Sequence, residues 1–366
     1  MRRSEYRLFL LVTVLALVAF VNVGCAEVPE ESSSTGGSQS LPTSGTTTSE
    51  NAGAAWAVGL GRLGRPVVLH TVDGGQTWAT QDAGVSCDLN QVHFVNNRIG
   101  WAVGRNEDGS MAILSTTDGG EHWAEQSADS DGELRSVWFL DEKTGWATGA
   151  GDDGQATILH TLDGGGSWTE QKAGVNGDLR SVHFVDSLNG WTVGMDDERV
   201  SVVLHTTDGG VSWTKQDAGV DGELKCVYFI DQSSGWAVGK GPNDRAIVVH
   251  TTDGGKTWTE QDAGIGGELR SVSFVDGLSG WAVGKDDELM AVILQTTDGG
   301  TSWAKQNVDY IAGLSSVRLD SERSGWAVGD RLSGEGLILH TTDGGEHWTE
   351  QEAETGLALF SVCSVN

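Results

Sequence analysis

Seven aspartates repeat at a constant spacing and are the first candidates for chemistry. Each opens the pattern D-G-G-x-x-W and lies 45 residues from the next. The seven are Asp73, Asp118, Asp163, Asp208, Asp253, Asp298 and Asp343. Carboxylates serve as general acids or bases and as calcium ligands. Catalysis needs one asymmetric constellation, however, and these residues recur equivalently. We therefore predict a structural role, with no catalytic residue and no metal site.

The residues around each aspartate indicate what that role is. Thr206, Asp208, Gly210 and Trp213 have the spacing of the Asp-box, or BNR, motif of propeller families. A short carboxylate accepts hydrogen bonds from backbone N–H groups of its own turn, and glycine permits a positive φ there. The tryptophan that follows buries about 150–250 Å² between sheet layers. Each box is predicted to join the third and fourth strands of its own repeat.

A mainly basic series also follows the repeat. Its members are Asn90, Arg135, Arg180, Lys225, Arg270, Ser315 and Phe360. Acidic residues stand two positions earlier in five repeats, at Asp88, Glu133, Asp178, Glu223 and Glu268. Residues i and i+2 share one side of a strand, so acid–base pairing is easy. Two interpretations stay open: a ring of partly solvated salt bridges at one mouth of a central channel, or a docking surface for a charged or polar partner.

The most variable position of the same strand comes three residues later. It holds His93, Trp138, His183, Tyr228, Ser273, Arg318 and Cys363. Such side chains either line a ligand pocket or fill tolerant space near an axis. We include Trp138, His183 and Tyr228 among the candidate partner-binding residues, together with the four basic residues of the preceding series.

These residues must be positioned by a repeat of short strands. In the unit 179–223 the strand-like segments are LRSVHFVD, WTVG, VSVVLHTT and WTKQ, and turn-forming residues separate them. Four such strands without a helical period indicate a β-meander. A four-stranded repeat of 45 residues is typical of a propeller blade. The sequence therefore predicts an all-β fold, a seven-bladed β-propeller of four-stranded antiparallel blades.

The two ends of the repeat region predict how the ring closes. The C-terminal residues 361–366, SVCSVN, are in phase with a first strand that no blade follows. The segment AAWAVG near residue 56 is a second strand without a first strand before it. Pairing of these two strands would complete one blade and remove an exposed sheet edge.

The chain before the repeats has a different composition. Residues 1–24 have a basic start and an apolar run, and V-N-V-G-C resembles a bacterial lipoprotein box. This pattern predicts a signal peptide with lipidation of Cys25; an uncleaved membrane anchor and ordinary secretion are the alternatives. Residues 25–51 are rich in Ser, Thr and Gly and predict a flexible tether, and 52–366 form the propeller. Each alternative places the propeller outside the cytoplasm.

The charge balance excludes one class of partner. The formal net charge is -29, which argues against binding nucleic acid and against flat docking on anionic lipid. We expect a monomer without a cofactor that binds a protein partner, such as a membrane-protein complex, and contacts the membrane only through its lipid anchor.

The combined motif L-x-S-V-x-F-V-D, G-W-A-V-G and I-L-H-T-T-D-G-G-x-x-W resembles the photosystem II stability/assembly factor family over residues 52–366. The resemblance implies a seven-bladed Asp-box propeller, lipid-anchored in some members, that binds membrane-protein assembly intermediates without catalysis. It also implies an arginine-rich patch on one face. The candidate match to that patch is the set Arg135, Arg180, Lys225 and Arg270.

The rival class is a carbohydrate-binding or glycoside-hydrolase propeller of the sialidase type, because sialidases also carry Asp-boxes. A sialidase is expected to need an arginine triad and a tyrosine nucleophile paired with a glutamate. Beyond the signal segment the only tyrosines are Tyr228 and Tyr310, and the arginines mostly follow the repeat. We therefore predict a non-enzymatic, membrane-tethered scaffold and keep the carbohydrate-active class as the alternative.

Overall fold

A computed structural model of the chain describes residues 53–61, 65–128, 130–353 and 358–365. These residues form 28 strands in seven four-stranded antiparallel sheets, arranged as blades 1 to 7 around one axis. The predicted signal peptide, Cys25 and the tether lie outside the described residues. Within the described part, no helix has the length and apolar character needed to cross a membrane. The predicted seven-bladed β-propeller is confirmed.

The first three blades contain twelve strands. Blade 1 comprises Leu359–Val365 (β28), Ala54–Leu60 (β1), Pro66–Thr71 (β2) and Ala79–Gln81 (β3). Blade 2 comprises Cys87–Phe94 (β4), Gly100–Asn106 (β5), Met111–Thr116 (β6) and Ala124–Gln126 (β7). Blade 3 comprises Gly132–Phe139 (β8), Gly145–Gly151 (β9), Gln155–Thr161 (β10) and Thr169–Asn176 (β11).

The other four blades repeat the same order of strands. Blade 4 comprises Asp178–Phe184 (β12), Gly190–Met195 (β13), Ser201–Thr206 (β14) and Thr214–Gln216 (β15). Blade 5 comprises Glu223–Phe229 (β16), Gly235–Gly241 (β17), Arg245–Thr251 (β18) and Thr259–Gln261 (β19), with a short 3₁₀ turn at Pro242–Asp244. Blade 6 comprises Glu268–Phe274 (β20), Gly280–Lys285 (β21), Ala291–Thr296 (β22) and Ala304–Lys305 (β23). Blade 7 comprises Ala312–Leu319 (β24), Gly325–Arg331 (β25), Gly336–Thr341 (β26) and Thr349–Glu350 (β27).

The two ends of the chain meet in blade 1. Strand β28 pairs antiparallel with β1, so that Trp56 lies opposite Cys363 and Ala57 lies opposite Val362. The C-terminal strand thereby supplies the innermost strand that β1 lacks. The prediction that pairing of the terminal strands closes the ring is confirmed.

The ring has two distinct faces. On the lower face the turn between the first and second strands meets the Asp-box turn, where Gly209 N–H donates to the Leu188 carbonyl at 3.0 Å. The chain enters blade 1 on this face, because Gly74 N–H donates to the Gly53 carbonyl in the equivalent contact at 3.2 Å. The upper face carries the hairpins between the second and third strands and the connections from blade to blade.

A stack of aromatic rings holds neighbouring blades together. Trp191 of blade 4 lies between His205 of its own blade, with ring centroids 4.5 Å apart, and Phe229 of blade 5, at 3.6 Å. Phe229 then meets Trp258 edge-on at 5.8 Å. Burial lowers the pKa of His205, with a smaller contribution from Lys256, so the ring stays neutral and stacks as an aromatic side chain. Five blades carry a histidine at this position of the third strand, and each histidine stacks on the second-strand tryptophan of its own blade. The five are His70, His160, His205, His250 and His340, which are therefore distributed around the ring.

The Asp-box turns also receive hydrogen bonds from the preceding blade. Trp191 Nε1 and Gln216 Nε2 both donate to the Gly254 carbonyl, at 3.1 and 2.9 Å. The same pair of donors reaches five carbonyls, those of Gly119, Gly164, Gly209, Gly254 and Gly299. The sequence predicted a box acting within its own repeat, and the structure shows that it also joins two blades.

The innermost strands are sheet edges that face the axis, and their N–H groups need partners outside the blade. Side chains of the preceding innermost strand provide them; for example, the Ser181 hydroxyl accepts from Val227 N–H at 3.1 Å. The seven acceptors are Gln91, Ser136, Ser181, Cys226, Ser271, Ser316 and Ser361. Ser361 accepts from Val92 N–H at 3.4 Å, so this ring of hydrogen bonds also closes through the C-terminal strand.

The outer strands depart from the sequence prediction in two ways. The fourth strand of the predicted unit began at Trp213, whereas β15 begins at Thr214, because the indole turns inward from the Asp-box turn. The outer strand of blade 3, β11, has 8 residues and continues past a bulge to pair Asn176 with Gln155. Blade 3 is therefore the one described blade whose outer strand extends to the upper face.

We expect Gly210→Ala to destabilise the ring by about 1–3 kcal/mol. Gly210 has φ +90°, and a Cβ there would collide with the side-chain amide of Gln171. That amide donates to the Gly209 carbonyl at 3.1 Å, so the substitution costs a contact between blades as well as backbone strain. Urea denaturation measures the loss.

Gly264→Ala is the matched control. Gly264 has φ +66°, but no other atom lies within 4 Å of the place that an alanine methyl group would take, so the variant incurs the backbone strain alone. Equal losses for the two variants would contradict a specific role of the Gln171 contact.

Candidate functional site

Each Asp-box carboxylate is held inside its own turn. The Asp208 carboxylate accepts from Thr206 Oγ1 at 2.7 Å, Ser212 N–H at 2.9 Å and Ser212 Oγ at 2.6 Å. The hydroxyl and N–H of Ser212 lower the pKa of Asp208 to about 2, which makes this carboxylate a weak base. Gly210 N–H donates in turn to Thr206 Oγ1 at 2.8 Å. The lone pairs that catalysis would need are used to form the turn.

In all seven boxes the backbone N–H four residues after the aspartate donates to the aspartate carboxylate.

Two boxes also bring three possible metal ligands within 4.8 Å of one another: Asp118 with Glu121 and His122, and Asp343 with Glu346 and His347. In both, the histidine Nδ1 lies 2.8 Å from the aspartate, so the pair already satisfies itself. All seven aspartates thus occupy equivalent structural positions.

The basic series forms a continuous chain of ion pairs near the upper face. Arg180 reaches Asp178 of its own strand at 3.4 Å and Glu223 of the next blade at 2.8 Å. Lys225 likewise lies 3.4 Å from Glu223 and 2.9 Å from Glu268. Each of these two cations therefore bridges two blades. We call this arrangement the ionic chain; its cations are Arg135, Arg180, Lys225 and Arg270.

The ionic chain is open rather than the closed ring expected from the sequence. At one end the Asn90 side chain donates to Glu133 at 2.9 Å, where other blades have a cation. At the other end Arg270 approaches Asp330 at 3.9 Å. The inner strands of blades 7 and 1 carry Ser315 and Phe360 at the basic position and do not continue the chain.

The ionic chain is also more buried than a partly solvated ring would be. The side chains of Arg135, Arg180, Lys225 and Arg270 are exposed by 13%, 10%, 4% and 8%. Burial alone would raise the pKa of Glu268, but Arg270 and Lys225 outweigh it and hold this pKa below its usual range. The candidate docking cations are therefore largely occupied by carboxylates of this chain.

The other three candidate partner-binding residues lie deeper on the axis. Trp138 is fully buried, and His183 is 3% exposed. The Trp138 ring lies 4.1 Å from the ring of His183, which in turn lies 4.8 Å from that of Tyr228. Tyr228 is half-buried. The structure therefore brings these three residues together inside the ring, one level below the ionic chain.

Several residues that organise this region were not recognised in the sequence. The ring of hydrogen-bond acceptors, including Ser136 and Ser181, appears in the sequence only as a small polar residue before a valine. Asp330 and Lys285 face the ionic chain from second strands, where the corresponding residues of other blades vary in type. The sequence does single out Asp330, because it is the one acidic residue at its position among the seven repeats.

We expect Lys225→Met to destabilise the protein by about 3 kcal/mol, because it leaves the buried carboxylates of Glu223 and Glu268 without their shared cation. Lys215→Met is the matched control: Lys215 is 47% exposed and pairs with Asp196 at the surface, so a change within about 1 kcal/mol is expected. Chemical denaturation of both variants checks the difference, and similar losses would show that the ionic chain is not tightly coupled.

Comparisons with solved structures find the same fold. A structure described as "YCF48 bound to D1 peptide" is 18% identical, with 74% of this chain and 82% of that chain covered and a TM-score of 0.55. YCF48 from Cyanidioschyzon merolae is 19% identical, with 81% and 91% covered and a TM-score of 0.58. The GH74 enzyme of Niastella koreensis is 12% identical, with 86% and 68% covered and a TM-score of 0.54. At these identities each likeness shows the fold alone.

Comparison by sequence identifies the family. A search of curated proteins finds no match. The family model described as photosynthesis system II assembly factor YCF48 matches residues 76–176, 170–264 and 258–358. These matches together span about three quarters of the 366 residues. The chain therefore belongs to the YCF48-like family of photosystem II assembly factors.

Proposed function

We propose that this protein is a non-enzymatic scaffold, tethered to a bacterial membrane on its extracytoplasmic side, that binds a membrane-protein assembly intermediate. The observation that carries the proposal is the family match across residues 76–358. One solved family structure is described as bound to a D1 peptide, so a propeller of this family binds a polypeptide. The partner proposed here is therefore a protein, and no cofactor is required.

The uniformity of the blades supports a binding role over catalysis. Grooves of about 480, 460 and 390 Å³ lie between the third strand and the outgoing connection in blades 4, 2 and 5, at equivalent positions. The Asp-box carboxylates are likewise equivalent and engaged in their turns. An active site would need one blade to differ from the others in its polar groups. The likeness to a GH74 enzyme rests on the fold and does not favour the carbohydrate-active alternative.

We place the docking surface on the upper face. The exposed hairpin residues there include Glu107, Asp152 and Asp197, so the outer part of the face is acidic. Inside them lies the ionic chain, in which Arg135 has the most exposed cationic side chain, at 13%. A partner with basic side chains toward the rim and an acidic or polar group toward the centre fits this pattern. Loops on a rigid scaffold are the usual location of such recognition.

Charge reversal at exposed hairpins tests the upper face without touching the ionic chain. In the double variant Glu107→Lys with Asp197→Lys, two exposed acids of the upper-face hairpins become basic while the buried ion pairs stay as they are. We expect recovery of membrane proteins from solubilised membranes to fall at least about tenfold, a loss of roughly 1.4 kcal/mol of binding, with an unchanged melting temperature.

Lys143→Glu, on the lower face, is the control and should leave recovery intact. Undiminished recovery with the double variant would show that the acidic hairpins of the upper face do not contact the partner. A glycan array run in parallel addresses the rival class: specific glycan binding without a recovered membrane protein would favour a carbohydrate-binding propeller.

Tethering is tested separately through Cys25. We expect Cys25→Ser to abolish incorporation of labelled fatty acid and to move the protein from the membrane fraction to the soluble extracytoplasmic fraction. The unchanged propeller should still capture the partner when added from outside. Unaltered membrane fractionation of the variant would instead indicate an uncleaved anchor.

A further inference from the structure

Seven side chains meet at one level of the central axis. Strand register places each of them opposite the second-strand tryptophan of its own blade; Arg318, for example, lies opposite Trp326, and His183 opposite Trp191. The seven are His93, Trp138, His183, Tyr228, Ser273, Arg318 and Cys363. We call this set the axial level. Six of its members are buried.

Aromatic rings line one side of the axial level. The Trp138 ring lies 4.8 Å from the ring of His93 and 4.1 Å from that of His183. Burial, with a smaller contribution from Arg318, lowers the pKa of both histidines to about 3. Both imidazoles are therefore neutral, and the charge of Arg318 acts on both rings that flank Trp138. These four side chains thus share the interior of the channel.

Arg318 is a buried cation without a counterion in direct contact among the described residues. The residue is 4% exposed, its Nε has no hydrogen-bond partner, and none of the ion pairs formed by the described residues includes it. This differs from the ionic chain, in which every cation contacts carboxylates. A guanidinium carries five N–H donors and stays charged, so burying one without an anion is strongly unfavourable.

Asp320 is the acidic group closest in sequence, two residues further along the same strand. Its position holds an aliphatic residue in the other blades, so Asp320 departs from the repeat. The Asp320 carboxylate accepts from Ser364 Oγ and from Trp326 Nε1, the latter at 3.0 Å. Burial raises the pKa of Asp320, although Ser364 and Arg318 oppose the rise. Asp320 therefore interacts electrostatically with Arg318, but the two side chains form no ion pair.

Other donors at the axial level lack partners within the described chain as well. Trp138 Nε1, which can only donate, and His183 Nδ1 are buried without a hydrogen-bond partner. His93 differs, because its Nε2 lies 3.0 Å from the Phe139 carbonyl and must carry the proton, which leaves Nδ1 as an acceptor suited to a water molecule. The unpartnered groups are therefore the Arg318 cation, the Trp138 Nε1–H donor and His183 Nδ1, which donates when it carries the imidazole proton.

We propose that the axial level binds a small anion, chloride in its simplest form, held by Arg318 with Trp138 Nε1 and His183 Nδ1 as further donors. The buried guanidinium needs a counterion, and the buried N–H groups need an acceptor; an anion supplies both. A water molecule would supply an acceptor but no counterion. The aromatic rings occupy much of the level, which limits the ligand to a few atoms.

Bromide replaces chloride and can be located by anomalous scattering. In crystals of the protein grown in bromide, we expect an anomalous peak within direct contact distance of the Arg318 guanidinium, and we expect no such peak in Arg318→Gln. Arg318→Lys keeps the charge and should keep a peak near the axis. A wild-type axis that holds only water, without anomalous signal, would overturn the proposal even if no variant folds.

Anion-dependent stability provides the second test in solution. Replacing gluconate by chloride at constant ionic strength should raise the melting temperature of the wild type by about 2–4 °C, because a ligand that binds only the folded state stabilises it. Arg318→Gln should show no such rise. Arg98→Gln removes an exposed arginine and controls for general salt effects; it should respond as the wild type does. Equal chloride dependence in all three proteins would contradict an axial anion.

Discussion

Five of the seven blades depend on the next blade through a common contact of their second-strand tryptophan. The indole of Trp191 stacks on Phe229 of the next blade, and its N–H donates to the Gly254 carbonyl of that blade's Asp-box turn. A single blade would expose this ring and leave the donor unpaired, so a four-stranded unit gains its stability only in the ring. The Asp-box keeps Gly254 in place, and for this reason the most regular motif of the sequence recurs at the lower ends of the blades. Closure by β28 extends the same requirement to the termini.

Polar groups in the interior follow the same rule of partnership between blades. Hydroxyls such as Ser181 Oγ satisfy the edge of the next innermost strand, and the ionic chain spreads its positive charges over carboxylates of neighbouring blades. These contacts compensate for desolvation because their members have partners on both sides. Arg318 is the exception, since no ion pair of the described residues includes it. One blade thus departs from the repeat at the centre of the molecule, where seven strands converge.

Much of the architecture could be predicted because short sequence patterns that recur in every repeat specify the turns and strands. The turn residues around Asp208 and the phase of Ser361 were sufficient to predict blades, their number and the closure. Contacts between blades could not be predicted, because they join residues far apart in the chain, such as Ser181 and Val227. The basic series was recognised, but its burial depends on the carboxylate of the following blade. The Asp320 substitution was visible as an acid among aliphatic residues, yet its meaning depends on the position of Arg318 on the same strand.

The point at which the chain enters the ring fixes an orientation. Gly53 contacts Gly74 beside the Asp-box turns, so the described part of the chain begins at the lower face. The hairpins and the ionic chain point the opposite way. A fluorescent or affinity module attached directly at Gly53 would therefore start from the lower face, whereas insertion into a hairpin such as that at Asp152 would obstruct the upper face.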